Sequence, residues 1–259
     1  MPLIIRKSRL FLTFAAAAVS LPHLVLAQQN SQLDPGFNNV SAQIVIQRKN
    51  SPKPVKGSSA ADAGQVVLWL KPLDPGIAAL AANQPAHKRP QLVQKNKSFQ
   101  PHLLVVRAGS IVDFPNRDPF FHNVFSLFDG KRFDLGLYEA GATNSAHFDR
   151  VGVSFLFCNI HPEMSAVVVS VDTPYFAISN PAGHVEIPNV PDGRYELHFW
   201  YERSLPEALK SLTRIVNISP ANKELGTIDI PENPNFSAAH SNKYGQEYTP
   251  PPAGAYGHP

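Results

Sequence analysis

The chain of 259 residues has one cysteine, Cys158, so no intrachain disulfide framework is open to it. Methionine and tryptophan are almost as scarce, at two residues each. Glycine (15 residues) is outnumbered by proline (25), a balance too rich in helix breakers for a helical bundle. Only 17% of residues are charged, while a hydrophobic content of 43% is that of a globular chain rather than a disordered or fibrous one. An excess of one charge is also missing. The formal charge of +3 comes from the first 27 residues, which hold Arg6, Lys7, Arg9 and no acid; beyond them 20 basic residues face 20 acidic ones. That balance leaves no electrostatic footprint for nucleic acid. No phosphate-binding loop, Ser-His-Asp spacing, paired-carboxylate motif or internal repeat stands out. No apolar run after residue 27 is long enough to cross a bilayer.

Residues 1–27 read as a signal peptide. Arg6, Lys7 and Arg9 form a charged start, residues 10–19 an apolar stretch, and Pro22 interrupts it. Val25 and Ala27 place compact residues just before Gln28, where a signal peptidase would cut. The alternative is an uncleaved anchor, because residues 10–27 carry no formal charge, but Ser20, Pro22 and His23 make a poor span. No cysteine follows the apolar stretch, so there is no lipid attachment site. The expected protein is periplasmic or secreted, with no stable membrane insertion after cleavage.

From residue 40 the pattern is one of short strands: 40–48, 65–70, 102–107, 110–114, 122–128, 151–157 and 166–171, each bounded by Gly, Pro, Asn or Asp. Residues 51–64 and 73–90 read as loops rich in Pro, Ser, Gly and Ala. Strands follow at 184–187 and 195–201, around the turn Pro191-Asp192-Gly193, and then at 212–218 and 225–230. Ser204 with Glu207 suggests a capped short helix reaching Leu212, the only helical signal after the leader. The class predicted is all-β, built as sandwiches. Residues 232–259 contain almost no aliphatic residue larger than alanine and are read as a disordered tail, unable to offset the entropy of ordering.

Chemistry concentrates at Cys158-Asn159-Ile160-His161-Pro162-Glu163-Met164, which holds the lone cysteine and the only methionine beyond Met1. A free thiol in an oxidising compartment is a liability that something must justify. Thiolate, thioether and imidazole are the donors that suit copper, and a trigonal His₂Cys plane with a weak axial Met is the blue-copper electron-transfer set. The second imidazole has to come from elsewhere. His122, in Phe120-Phe121-His122-Asn123-Val124 after the polar turn at 116–119, is placed to supply it. Pro162 limits loop motion, and a stiff loop keeps reorganisation small when the metal changes oxidation state.

Over residues 91–172 these motifs resemble the cupredoxins, most closely the amicyanin type, with Cys-x-x-His-x-x-Met, a proline after the histidine, and an upstream His-Asn-Val. The resemblance implies a Greek-key β-sandwich, one type 1 copper, and His122, Cys158, His161 and Met164 as its ligands. It further implies that the backbone N–H of Asn123 donates to the Cys158 sulfur, that electrons leave at an exposed edge of His161, and that the partner is a redox protein. Glu163 departs from the pattern, placing an acid where an apolar residue is usual. The remaining histidines, His87, His102, His147, His184, His198, His240 and His258, lack ligand spacing and read as surface or locally hydrogen-bonded, His102 deserving the closest watch because it enters a strand of this region. Phe120 and Phe121 read equally as core or as an apolar collar; Trp69 and Trp200 read as core.

Residues 183–197, a strand, the Pro-Asp-Gly turn and a Tyr-led strand, resemble the carboxypeptidase-regulatory or transthyretin-like sandwich, smaller than the first. Strands 40–48 and 65–70 fit as its opening strands, giving a discontinuous domain (38–80 with 174–231) interrupted by the copper domain (88–172). A tandem order, with 40–70 belonging to the copper domain, is the alternative; the partners of residues 66–70 separate the two. The function expected is single-electron carriage without catalysis. Its rivals are copper storage or delivery, and an interaction module in which copper only steadies the fold.

Overall fold

A computed structural model describes residues 36–48, 64–84, 89–127, 130–237 and 240–248. The expected signal peptide lies outside these residues, as do residues 249–259 of the expected tail. The elements run in the order β1 (Phe37–Gln47), β2 (Val67–Pro72), α1 (Pro75–Asn83), β3 (Val93–Lys95), β4 (Ser98–Gln100), β5 (Leu103–Arg107) and β6 (Ser110–Pro115). Then follow β7 (His122–Ser126), β8 (Phe133–Tyr138), β9 (Thr143–Phe148), β10 (Gly152–Phe157) and β11 (Ser165–Val171). The chain continues through β12 (Phe176–Ile178), β13 (His184–Pro191), β14 (Gly193–Trp200), α2 (Pro206–Leu212), β15 (Arg214–Ile218) and β16 (Glu224–Pro231). The described residues are all-β apart from two short helices.

Alternation within the strands dictates the layers. In β1 every second residue from Asn38 to Ile44 is buried, and β14 buries Tyr195, Leu197 and Phe199 in the same rhythm. These faces meet between a three-stranded sheet (β13-β1-β16) and a four-stranded one (β12-β2-β14-β15), around Leu68, Leu70, Ile187, Tyr195 and Leu197. Val67, Leu68 and Trp69 pair with β12 and with the end of β14, both of which follow Tyr175 in the chain.

The second layered region joins a five-stranded sheet (β5-β11-β10-β7-β8) to the β6–β9 pair around Val112, Phe114, Phe148, Leu156 and Val168. Strand β11 departs from alternation: it is buried from Ala166 through Val171. Its even-numbered residues Ala166 and Val168 face that core, while Val167, Val169 and Val171 pack with Val67, Leu103 and Val105, where Trp69 and Trp200 also lie half-buried. A run of valines is what a strand covered on both faces requires. The two tryptophans thus sit where the two sheets meet, and Trp69 stacks on His198 with centroids 5.0 Å apart.

Three expectations need correction. The stretch 73–90 is not all loop, because α1 occupies Pro75–Asn83. Its alanines favour helix, Pro75 suits a first turn, and Ile77 and Ala81 bury one stripe. A β-carbon on Gly193 would lie 2.0 Å from an Ile77 methyl, so the glycine after Pro191-Asp192 serves the close approach of this helix. Next, α2 begins at Pro206 with Leu205 at its N-cap position; Ser204 donates instead to Pro231 C=O. Lastly, residues 240–248 of the expected disordered tail lie against β10 and the segment that follows it. What holds them is a set of ring contacts and polar bonds, the kind of anchoring that an inventory of aliphatic residues misses.

Candidate metal centre

Each candidate donor is delivered by a different constraint of the fold, and three of them arrive at one point. His122 opens β7, a strand buried along its whole length. Cys158 directly follows β10, which pairs with β7 at Phe157–Phe125. The turn after it folds back on itself, with Met164 N–H donating to His161 C=O (3.1 Å) and Cys158 N–H to Met164 C=O (3.2 Å). That closure brings His161 beneath the turn and Met164 into the core beside Cys158.

The donor atoms form a triangle. Cys158 Sγ lies 3.9 Å from His122 Nδ1 and 3.6 Å from His161 Nδ1, and the two nitrogens are 3.1 Å apart. A point roughly 2.1 Å from all three corners exists, which matches the ~2.0–2.3 Å bonds that imidazole nitrogen and thiolate sulfur make to a transition metal. All three side chains are buried, and this trio is the metal-compatible cluster among the described residues. Met164 is fully buried in the same core as Cys158, supplying a thioether on the chemistry's soft side.

Electrostatics favour a cation here. His122 Nε2 lies 2.8 Å from Asp118 Oδ2; donating its proton to that carboxylate leaves Nδ1 as a lone pair facing the triangle. Burial works to raise the Asp118 pKa, yet the N–H groups of Lys97 (2.9 Å) and Asn96 (2.6 Å), with His122, hold the carboxyl below its usual range. Burial pushes the Cys158 thiol up, while the backbone N–H groups of Asn123, Ile160 and His161 act in the opposite direction on the sulfur. Burial, followed by the charge of nearby His122, lowers the His161 pKa and so favours the neutral, ligating form. Two imidazole nitrogens beside a sulfur whose thiolate has three N–H donors ready form a donor set that fits copper.

Phe120 settles as collar: its ring sits 5.2 Å from the His122 ring and 5.5 Å from the His161 ring. Phe121 is 55% exposed. The exposed edge implied for His161 is not there. That residue is only 4% exposed, with the Phe120 ring against it.

Sequence reasoning missed several residues. Asp118 was seen only as part of a polar turn, although an acid four positions before a candidate ligand in a turn is a usable signal. His240, read as surface or locally hydrogen-bonded, does meet Ser241 C=O and Tyr248 O–H through Nδ1, but it also stacks on Phe157 with centroids 4.1 Å apart. Tyr248 O–H donates to the Cys158 carbonyl at 2.7 Å, a contact that no spacing rule reveals. His102 does merit attention, for its Nδ1 contacts Ser165 C=O (3.1 Å) and its Nε2 the Glu202 carboxylate (2.8 Å).

No family model and no curated protein matches the chain. Solved structures similar to part of it include a purple cupredoxin from Nitrosopumilus maritimus (22% identity, TM-score 0.29, covering 31% of this chain and 98% of that one). A mutant of amicyanin in its Cu(I) form gives 22% identity and a TM-score of 0.31, covering 35% of this chain and 89% of that one. A copper-containing nitrite reductase from Thermus scotoductus gives 23% identity and a TM-score of 0.31, covering 38% of this chain and 27% of that one. The region holding the triangle is a β-sandwich, the five-stranded sheet packed on the β6–β9 pair. Its chemistry rests on its own side chains, since these overlaps are short and distant. Among the described residues no helix is long and apolar enough to cross a membrane.

Proposed function

We propose that the protein is an exported type 1 copper protein that carries single electrons between redox proteins in the periplasm or outside the cell. The observation that carries this reading is the His122–Cys158–His161 triangle, sized for one metal ion and closed off from bulk water. His122, Cys158 and His161 would hold the ion, with the thiolate supplying covalency, and the Met164 thioether, buried in the same core, would be the fourth donor. Copper, when bound, supplies the one-electron couple; the protein's part is to hold the donors still and dry. Asp118 keeps His122 in the ligating tautomer, and the doubly hydrogen-bonded turn from Cys158 to Met164 resists rearrangement.

The domain reading goes with it: a smaller transthyretin-like sandwich made of 38–80 and 174–231, with the copper domain 88–172 inserted between its strands. Pairing of β2 with β12 and β14 supports insertion over a tandem order. Storage or delivery of copper is the second reading, favoured by one observation, the burial of His161.

Adding Cu(II) to the purified protein decides between them. An intense thiolate-to-copper absorption band that bleaches on reduction and returns on oxidation is the expected result. A colourless site that takes up Cu(I) alone would overturn electron carriage in favour of delivery. Turnover of nitrite would move the protein to the enzymes.

A further inference from the structure

Residues 240–248 form a strap over the backbone of the ligand turn. An internal turn shapes it, with Asn242 Oδ1 accepting from the N–H groups of Tyr244 (2.9 Å) and Gln246 (3.0 Å). At one end His240 stacks on Phe157, the residue before Cys158, and its Nδ1 meets Tyr248 O–H at 3.3 Å. Tyr248 in turn donates to the carbonyl of Cys158 itself. Lys243 N–H donates to Asn159 Oδ1 at 3.1 Å, and Lys243 Nζ reaches Asp134 Oδ2 at 2.8 Å. The other oxygen of Asp134 accepts from Asn123 Nδ2 at 2.7 Å. Asn123 follows His122 and acts through its N–H on the Cys158 sulfur.

The strap is therefore bonded to both segments that bring donors from distant parts of the chain: directly to Cys158-Asn159, and through Asp134 to His122-Asn123. A hydrogen bond to the Cys158 carbonyl fixes the peptide plane from which the cysteine side chain springs, and with it the direction of Sγ.

From this bridging we propose that Tyr248 and Lys243 are positioning residues of the metal centre, so that the C-terminal strap sets the geometry of Cys158 rather than trailing from the fold. The inference rests on the copper reading above, but one arm of its test does not need copper.

The test compares the full chain with Tyr248→Phe, which removes a single oxygen, with Lys243→Met and its conservative partner Lys243→Arg, and with Lys210→Met on the exposed side of α2 as a control. In the copper-free protein, alkylation of Cys158 by iodoacetamide reports how often the turn opens. Losing one partly buried hydrogen bond, about 1 kcal/mol, corresponds to roughly a fivefold faster reaction. Tyr248→Phe and Lys243→Met are expected to show that acceleration, together with a shifted thiolate-to-copper band and a shifted reduction potential. Lys243→Arg restores wild-type values and Lys210→Met leaves all three unchanged. A lower melting temperature with alkylation, band and potential all at wild-type values would reduce the strap to simple stabilisation and overturn the proposal. If the wild type develops no band at all, the copper reading fails instead, and the alkylation rates still decide whether the strap positions Cys158.

Discussion

The two cores of this protein bury polar groups in opposite ways. Around Tyr195 and Leu197, buried polar atoms are ended one by one on nearby backbone: Tyr195 O–H on Pro191 C=O (2.8 Å), Thr173 Oγ1 on Leu70 C=O (2.8 Å). Within residues 88–172 they are gathered. Nine of the twelve buried polar or charged side chains among the described residues lie there, including Asp118, His122, Asn123 and His161. Desolvating such groups is costly unless each finds a partner, so a core that concentrates them is organised around a task, whereas one that disperses them is organised for stability. The first core is a scaffold and the second a site.

The sharpest test of that contrast is Cys158→Ser, expected to abolish the thiolate-to-copper band, to weaken copper binding severely and to leave the far-ultraviolet spectrum of the copper-free protein unchanged; copper affinity equal to that of the wild type would place the metal elsewhere. The reverse change belongs in the scaffold. Leu197→Ala removes a fully buried side chain and should cost about 2–5 kcal/mol of stability by denaturant unfolding, while the copper band of the folded fraction stays where it was. A displaced band would mean that the two cores are not independent. Asp118→Asn keeps the shape but weakens the hold on the His122 tautomer; copper affinity should fall about 10–100-fold by competition with a chelator, with little change in the copper-free melt.

The smallest effect expected is at the junction between the cores. His102 lies just before β5 and meets Glu202, which follows β14; this hydrogen bond is the main reason its pKa is raised in the folded protein. A raised folded pKa means stability that is complete below the ordinary imidazole value and drains away as pH rises through the folded one. The pair is partly exposed, so its worth is at most about 1 kcal/mol. Melting temperatures of wild type and Glu202→Gln should therefore differ near about pH 5 and converge by about pH 8; a gap that widens with pH would refute the assignment.

How much of this was legible beforehand follows from the range over which each force acts. Strands β1, β5, β7, β10, β11 and β14 show in the sequence because alternation and β-branched runs are local records of which face is covered. Helix α1 does not, since its alanines, set between Pro72, Pro75 and Pro85, look like a loop until Ile77 is seen resting on Gly193. The ligand turn shows because Cys158, His161 and Met164 are close in the chain and chemically scarce, and His122 because its neighbours repeat a familiar pattern. Asp118, Tyr248 and Lys243 act through single hydrogen bonds, two of them spanning about ninety or more residues, and such bonds leave no periodic trace.

By itself the sequence determined that this chain is all-β, that its one thiol lies within a few residues of an imidazole and a thioether, and that little else in it can do redox chemistry. Local patterning and composition suffice for that. Only the tertiary structure decided that two nitrogens and a sulfur converge at metal-bonding range, that His161 is buried with Phe120 against it, and that the C-terminal segment is bonded to the ligand turn. Those are distances between residues far apart in the chain, and only packing specifies them.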